Sequence, residues 1–225
     1  MRAAAVLFDL DGTLLSTAGS GRRAMDQALR EHGLADGLGA MRLDGMTDRA
    51  IVREAVTAHR LACEEAHIDR ALERYLELLR ENIAGCGEYV VLPGVAEAIR
   101  TLRARGAAVG LGTGNIERGA RIKLERSGLN PELPFGGFGS DHEDRAELLR
   151  AGVRRAEALV GRALEVGEVW IVGDTPKDVA AGKKLGACVL AVATGRYTVE
   201  ELAACGPDVA VPDLAQPEAL DGLLR

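Results

Sequence analysis

The stretch "AAAVLFDLDGTLL", residues 3–15, decides the fold. Its first half is an uninterrupted apolar run, the pattern of a strand buried on both faces of a parallel sheet. The run ends in two aspartates, Asp9 and Asp11. Burying an unpaired carboxylate is costly, and two of them side by side also repel each other. In open α/β sheets the carboxyl ends of the strands line the ligand crevice. A pair of acids at such an end therefore reads as chemistry rather than as packing.

Short apolar runs of the same kind recur downstream: "AAVGLGTG" (107–114), "EVWIVGD" (168–174), "ACVLAVATG" (187–195) and "DVAVPDL" (208–214). Helical patterns separate or follow them at Ile116–Gly128, Asp144–Val160, Asp178–Leu185 and Val199–Cys205, each closing near a glycine. Strands alternating with helices predict an α/β fold, a parallel sheet covered on both faces. One interval breaks the rhythm. Far more chain separates the first two strands than the dozen or so residues a crossover needs. It carries helical patterns at Gly21–His32, Asp48–Arg60 and Glu64–Asn82; in the last of these Leu72, Tyr75, Leu76 and Leu79 form one apolar face. We expect residues 17–90 to be an inserted helical domain and 1–16 with 91–225 to form the sheet domain. A further helix, Val95–Arg105, opened by Pro93, would lead back into the sheet.

Composition narrows the function. The chain has 225 residues, 47% of them hydrophobic, and a formal net charge of −6. The charge argues against nucleic acid, whose binding needs a basic stripe. No run approaches the ~20 apolar residues of a membrane span, and the amino terminus does not resemble a secretory signal. Cys63, Cys86, Cys188 and Cys205 show neither CxxC nor Cys/His spacing, which favours free thiols in a reducing cytoplasm.

The ends of three strands carry polar groups: Asp9 and Asp11, then Thr113, then Asp174 with Asp178 in "VGDTPKD". So dense an acidic cluster needs a cation, and Mg²⁺, a hard ion that shares carboxylate oxygens with water and phosphate, suits it best. "GLGTGN" lacks the spacing of a dinucleotide loop. In "DLDGT" the glycine falls too early for an EF-hand.

"DLDGTL", "GTGN" and "GDTPKD", in that order and each at a strand end, resemble the haloacid dehalogenase superfamily of phosphatases. The resemblance implies a Rossmann-like three-layer core, with the helical insert as a type-one cap of the kind found in phosphoglycolate phosphatases. It implies Asp9 as nucleophile, Asp11 as general acid and then base, and Thr113, Gly114 and Asn115 around the phosphoryl oxygens, with Gly12 making the turn. Mg²⁺ would be held by Asp9, Asp174 and the main chain of Asp11, supported by Asp178. Where the family usually has a lysine before the "GD" strand, Arg145 is the best-placed cation and Lys177 the other candidate; His142, close by, reads as a loop residue. In "LDGMTDRAI", Thr47, Asp48 and Arg49 are candidates for substrate contact, although Thr47 or Asp48 could equally cap the next helix.

The expected activity is hydrolysis of a small phosphorylated metabolite, phosphoglycolate or a sugar phosphate, by a cytoplasmic monomer or homodimer. A phosphosugar mutase is the alternative within the superfamily; a non-catalytic module that binds Mg²⁺ and phosphate is the alternative outside it. Carbon–halogen chemistry fits less well, because halide leaves without an acid such as Asp11.

Overall fold

The computed structural model describes residues 3–59 and 64–224. Ala5–Phe8 forms β1, and its side chains alternate between two cores. Val6 and Phe8 pack into one apolar cluster, Ala5 and Leu7 into another. All four are fully buried, which is why the run has no polar alternation.

Leu15–Ser16 makes a short β2, followed by α1 (Ser20–Glu31), α2 (Asp48–Ala58) and α3 (Glu65–Ala84). A short β3 (Val90–Val91) then pairs antiparallel with β2, Leu15 opposite Val91 and Ser16 opposite Val90. The helical segment is thus closed at its base by a two-stranded ladder. It has its own apolar cluster, built on Leu29, Val52, Leu72, Tyr75, Leu76 and Leu79 among others. The expected apolar face of α3 is buried there. Arg60, the last residue of one expected helix, and Cys63 lie outside the described residues.

The chain continues through α4 (Val95–Ala104), β4 (Ala108–Thr113), α5 (Glu117–Leu124) and β5 (Gly136–Phe138). Next come α6 (Arg145–Val160), β6 (Val169–Gly173), α7 (Pro176–Leu185), β7 (Cys188–Val192), α8 (Val199–Ala203), β8 (Val209–Val211) and α9 (Pro217–Leu224). The six-stranded sheet runs β5-β4-β1-β6-β7-β8, and every pairing is parallel. One face carries α4 and α9; the other carries α6 and the later turns of α7.

Three details differ from expectation. Pro93 does not open α4 from within: the N-cap is Gly94, in the left-handed region, and Pro93 precedes it. The pattern at 116–128 resolves into α5 and a 3-10 turn, Glu125–Ser127. β5, only "GGF", has no periodicity to announce it and exists because β4 offers it an open edge.

The strand order reverses at β1, which lies between β4 and β6. A crevice forms outside the carboxyl ends of strands at such a point. Asp9, Thr113 and Asp174 stand at the ends of β1, β4 and β6.

Candidate active site

The crevice has a volume of about 230 Å³ and is lined by Asp9, Asp11, Thr113, Gly114, Asn115, Arg145 and Asp174 from the sheet side. Asp44, Met46, Asp48, Ile51 and Tyr75 close it from the helical segment. Asp9, Asp174 and Asp178 each present a carboxylate oxygen, and these oxygens lie within 4.8 Å of one another.

Burial holds the Asp9 and Asp174 carboxyls toward the neutral form. The Asp9 carboxyl is pushed up to about 6 by desolvation, against the pull of the Arg145 guanidinium. Asp174 is pushed up to about 8 by burial and by the charges of Asp9 and Asp178. Arg145, the first residue of α6, is the cation that keeps the group together. Its Nε donates to Asp178 Oδ1 at 2.7 Å, and its Nη2 lies 2.9 Å from Asp9 Oδ2. Nη2 also lies 2.5 Å from Asp178 Oδ1, so that, although it meets no acceptor in hydrogen-bond geometry, its charge is shared by both buried carboxylates. Lys177, the other candidate, is exposed and lies against Gly45.

Asp178 is already committed. One oxygen accepts from Arg145, and the other accepts from Thr175 N at 3.0 Å and Thr175 Oγ1 at 2.6 Å, closing a capping box on α7. A cation held here would be ligated directly by Asp9 and Asp174, with Asp178 supporting them. Asp174 is steadied by Thr13 Oγ1, which donates to its Oδ1 at 3.1 Å. Its Oδ2 sits in a cradle of two glycines. A Cβ at Gly12, whose φ is +81°, would lie 2.4 Å from that oxygen, and one at Gly195 only 1.8 Å away. No side chain fits beside this carboxylate, and the donor set suits a small hard cation.

Thr113 is fully buried, and its Oγ1 accepts from Asn115 N at 3.3 Å and Asn115 Nδ2 at 2.9 Å. With both lone pairs engaged, the hydroxyl proton is free to donate into the crevice. Gly114 is constrained from above: a Cβ there would lie 2.3 Å from Met46 O, so the loop of the helical segment rests on it.

That loop makes the closest approach of the helices to the strand ends. Asp48 N donates to Gly114 O at 2.9 Å, and Asp48 Oδ2 accepts from Ile116 N at 2.9 Å, capping α5 from outside its own helix. Burial pushes the Asp48 carboxyl up to about 6, with Lys123 opposing. Thr47 caps α2 through Ala50 N and does not line the crevice. Arg49 does not reach the crevice either. It pairs with Glu65 at 2.6 Å and Asp69 at 2.7 Å, because from the second position of α2 its side chain faces α3. His142 accepts from Asp144 N at 2.8 Å, a local turn contact.

Among the crevice residues that the sequence reading missed, one is charged and buried. Lys123, on α5, is 4% exposed, and its Nζ lies 2.6 Å from Asp11 Oδ2 and 2.7 Å from Asn115 Oδ1. In sequence it is an ordinary polar position of a short helix. Only the packing of α5 over the strand ends turns it inward.

The family model for haloacid dehalogenase-like hydrolases matches residues 3–186. The chain belongs to that family. A phosphoglycolate phosphatase of Rhodospirillum rubrum is 31% identical over 219 residues, covering 94% of this haloacid dehalogenase-like hydrolase and 88% of the relative. The probable phosphatase IndB of Dickeya dadantii is 25% identical, covering 94% and 90%. Among solved structures, CbbY from Rhodobacter sphaeroides in complex with phosphate shares the fold, with a TM-score of 0.76 at 17% identity over 99% of both chains. Among the described residues no helix is long and apolar enough to cross a membrane.

Proposed function

We propose that this hydrolase is a Mg²⁺-dependent phosphatase of a small phosphomonoester, working through an aspartyl-phosphate on Asp9. One observation carries the reading: Asp9, at the reversal point of the sheet, is buried between a guanidinium and the Asp174 carboxylate. Asp9 attacks phosphorus and the bond to the ester oxygen breaks. Asp11 gives the departing alcohol its proton. Water then attacks the same phosphorus, Asp11 takes up the water's proton, and inorganic phosphate leaves Asp9. Arg145 and the Thr113 hydroxyl face the phosphoryl oxygens. Bound by Asp9 and Asp174, Mg²⁺ would offset the repulsion between anionic nucleophile and anionic phosphate, ~4 kcal/mol for one charge pair at ~4 Å and a dielectric of ~20.

Residues 17–90 act in this reading as a cap that selects the substrate and limits water, and 1–16 with 91–225 as the catalytic core. The crevice suits a substrate of a few carbons, with phosphoglycolate the first candidate because the Rhodospirillum relative is named for it. A panel of phosphorylated metabolites assayed with Mg²⁺ is expected to release inorganic phosphate in step with the alcohol and to stop with EDTA. A bisphosphate product with little free phosphate would instead mark a mutase, and no turnover of any monoester would remove the reading.

Cation binding also has a pH signature. Asp9, Asp48 and Asp174 all bind a proton more tightly in the folded protein than their ordinary value of 3.8 allows. Above that value the unfolded chain holds fewer protons than the folded one, so these groups lower stability as pH rises from about 4 to about 8. The metal-free protein is expected to lose thermal stability from pH 5.5 to pH 8. Millimolar Mg²⁺ should raise Tm far more at pH 8, since at low pH protons compete for the same oxygens. Equal Mg²⁺ shifts at the two pH values would count against the assigned site.

A further inference from the structure

Asp11 is held by two donors on one oxygen. Asn115 Nδ2 reaches its Oδ2 at 2.9 Å and Lys123 Nζ reaches the same oxygen at 2.6 Å. Lys123 also donates to Asn115 Oδ1 at 2.7 Å, and Asn115 Nδ2 donates on to Thr113 Oγ1. Lysine has donors only, so it fixes which way the Asn115 amide faces, and the amide in turn fixes Thr113. Among the described residues no donor reaches Asp11 Oδ1. Any proton that Asp11 carries is therefore directed to Oδ1, because the lone pairs of Oδ2 are taken.

Stability does not call for this lysine. The Asp11 side chain is 44% exposed and can be hydrated, whereas the Lys123 side chain is 5% exposed. Burying an ammonium costs several kcal/mol of desolvation, and an apolar group of similar volume often does as well or better for stability. Asp48, on α2, feels the same ammonium, so the charge is shared between an acid of the core and one of the helical segment.

We propose that Lys123 is a positioning residue for proton transfer: bonded to both Asp11 and Asn115, it holds the Asp11 carboxyl with Oδ1 turned toward the leaving oxygen. The proposal rests on the reading of Asp11 as general acid. It makes Lys123 matter in proportion to how badly the leaving group needs a proton. An alkoxide needs one; 4-nitrophenolate does not.

The test compares kcat/KM, which reports the step in which the leaving group departs, for 4-nitrophenyl phosphate and for an alkyl phosphate turned over by the wild type. Lys123→Met is expected to lower the alkyl value on the order of a hundredfold and the aryl value less than about tenfold, in keeping with the size of general acid catalysis. Circular dichroism and Tm establish that the variant is folded. Lys123→Gln, which keeps a polar head in the pocket, repeats the comparison if the methionine variant is not. Equal losses on the two substrates would overturn the proposal. Asp11→Asn, run alongside, separates the two ways of failing. If Asp11→Asn discriminates between the substrates and the Lys123 variants do not, the role of Lys123 alone is wrong. If Asp11→Asn fails to discriminate, the general-acid reading itself is wrong.

Discussion

Asp9→Asn is expected to abolish phosphate release, lowering kcat on the order of 10⁴-fold or more, while leaving the protein at least as thermostable as the wild type. The first part follows from the role of the carboxylate: an amide cannot form the acyl phosphate, and loss of a nucleophile from a site that works as a unit has an effect of this size. The second part follows from the electrostatics. Burial pushes the Asp9 carboxyl up to about 6, so above that pH the folded protein carries a charge it would be more stable without. Asparagine removes that charge and its repulsion with Asp178, while Arg145 keeps its hydrogen bond to Asp178. At pH 8 without metal, Tm should hold or rise. Thermal melts and phosphate release on the same preparation check both halves. A variant that turns over within tenfold of the wild type removes Asp9 as nucleophile; one that loses activity together with many degrees of Tm shows a structural role instead.

The legibility of this site followed the range over which each residue's role is set. Asp9, Thr113 and Asp174 could be placed from sequence because each ends an apolar run, and the end of a buried strand is a local property. That they meet required only that the three strands be neighbours, and the order β4-β1-β6 makes them so. Arg145 could be placed because the family resemblance calls for a cation at the start of the helix before the "GD" strand, and Arg145 opens α6 there behind its N-cap, Asp144. Lys123 could not, since nothing within several residues distinguishes it from the exposed basic positions around it. Its burial depends on α3 packing against α5, a contact between segments far apart in sequence. Gly195 was equally silent. Its role is to be absent beside Asp174, and no pattern in "VATGRYT" records which carboxylate will approach. Arg49 failed in the opposite sense. The motif placed it near the crevice, but α3 offered two acidic partners that the sequence does not put beside it.

Arg145→Met has the largest expected cost to the fold. Arg145 is the shared partner of Asp9 and Asp178, both almost wholly buried, and Asp174 lies in the same group. Breaking a buried ion pair by removing one member typically costs about 3–5 kcal/mol, because the other charge stays behind without compensation. In a chain of this size that corresponds to a fall in Tm of roughly 10 °C. Here two carboxylates are left instead of one, and protonation of Asp9, which burial already favours, relieves part of the charge. The loss should therefore be largest at pH 8 and smaller at pH 5.5, where Asp9 takes up a proton, and millimolar Mg²⁺ should recover part of it by supplying positive charge to the same oxygens. Catalysis should not recover with it, since the guanidinium proposed to face the phosphoryl oxygens is gone. Arg145→Lys separates the two roles: it keeps the charge but cannot reach both carboxylates with a planar fork, so it should retain most of the stability and only part of the rate. A methionine variant that melts within 2 °C of the wild type at pH 8 without metal would mean that Asp9 is neutral in the folded protein. The guanidinium would then not be what holds Asp9 ready for attack.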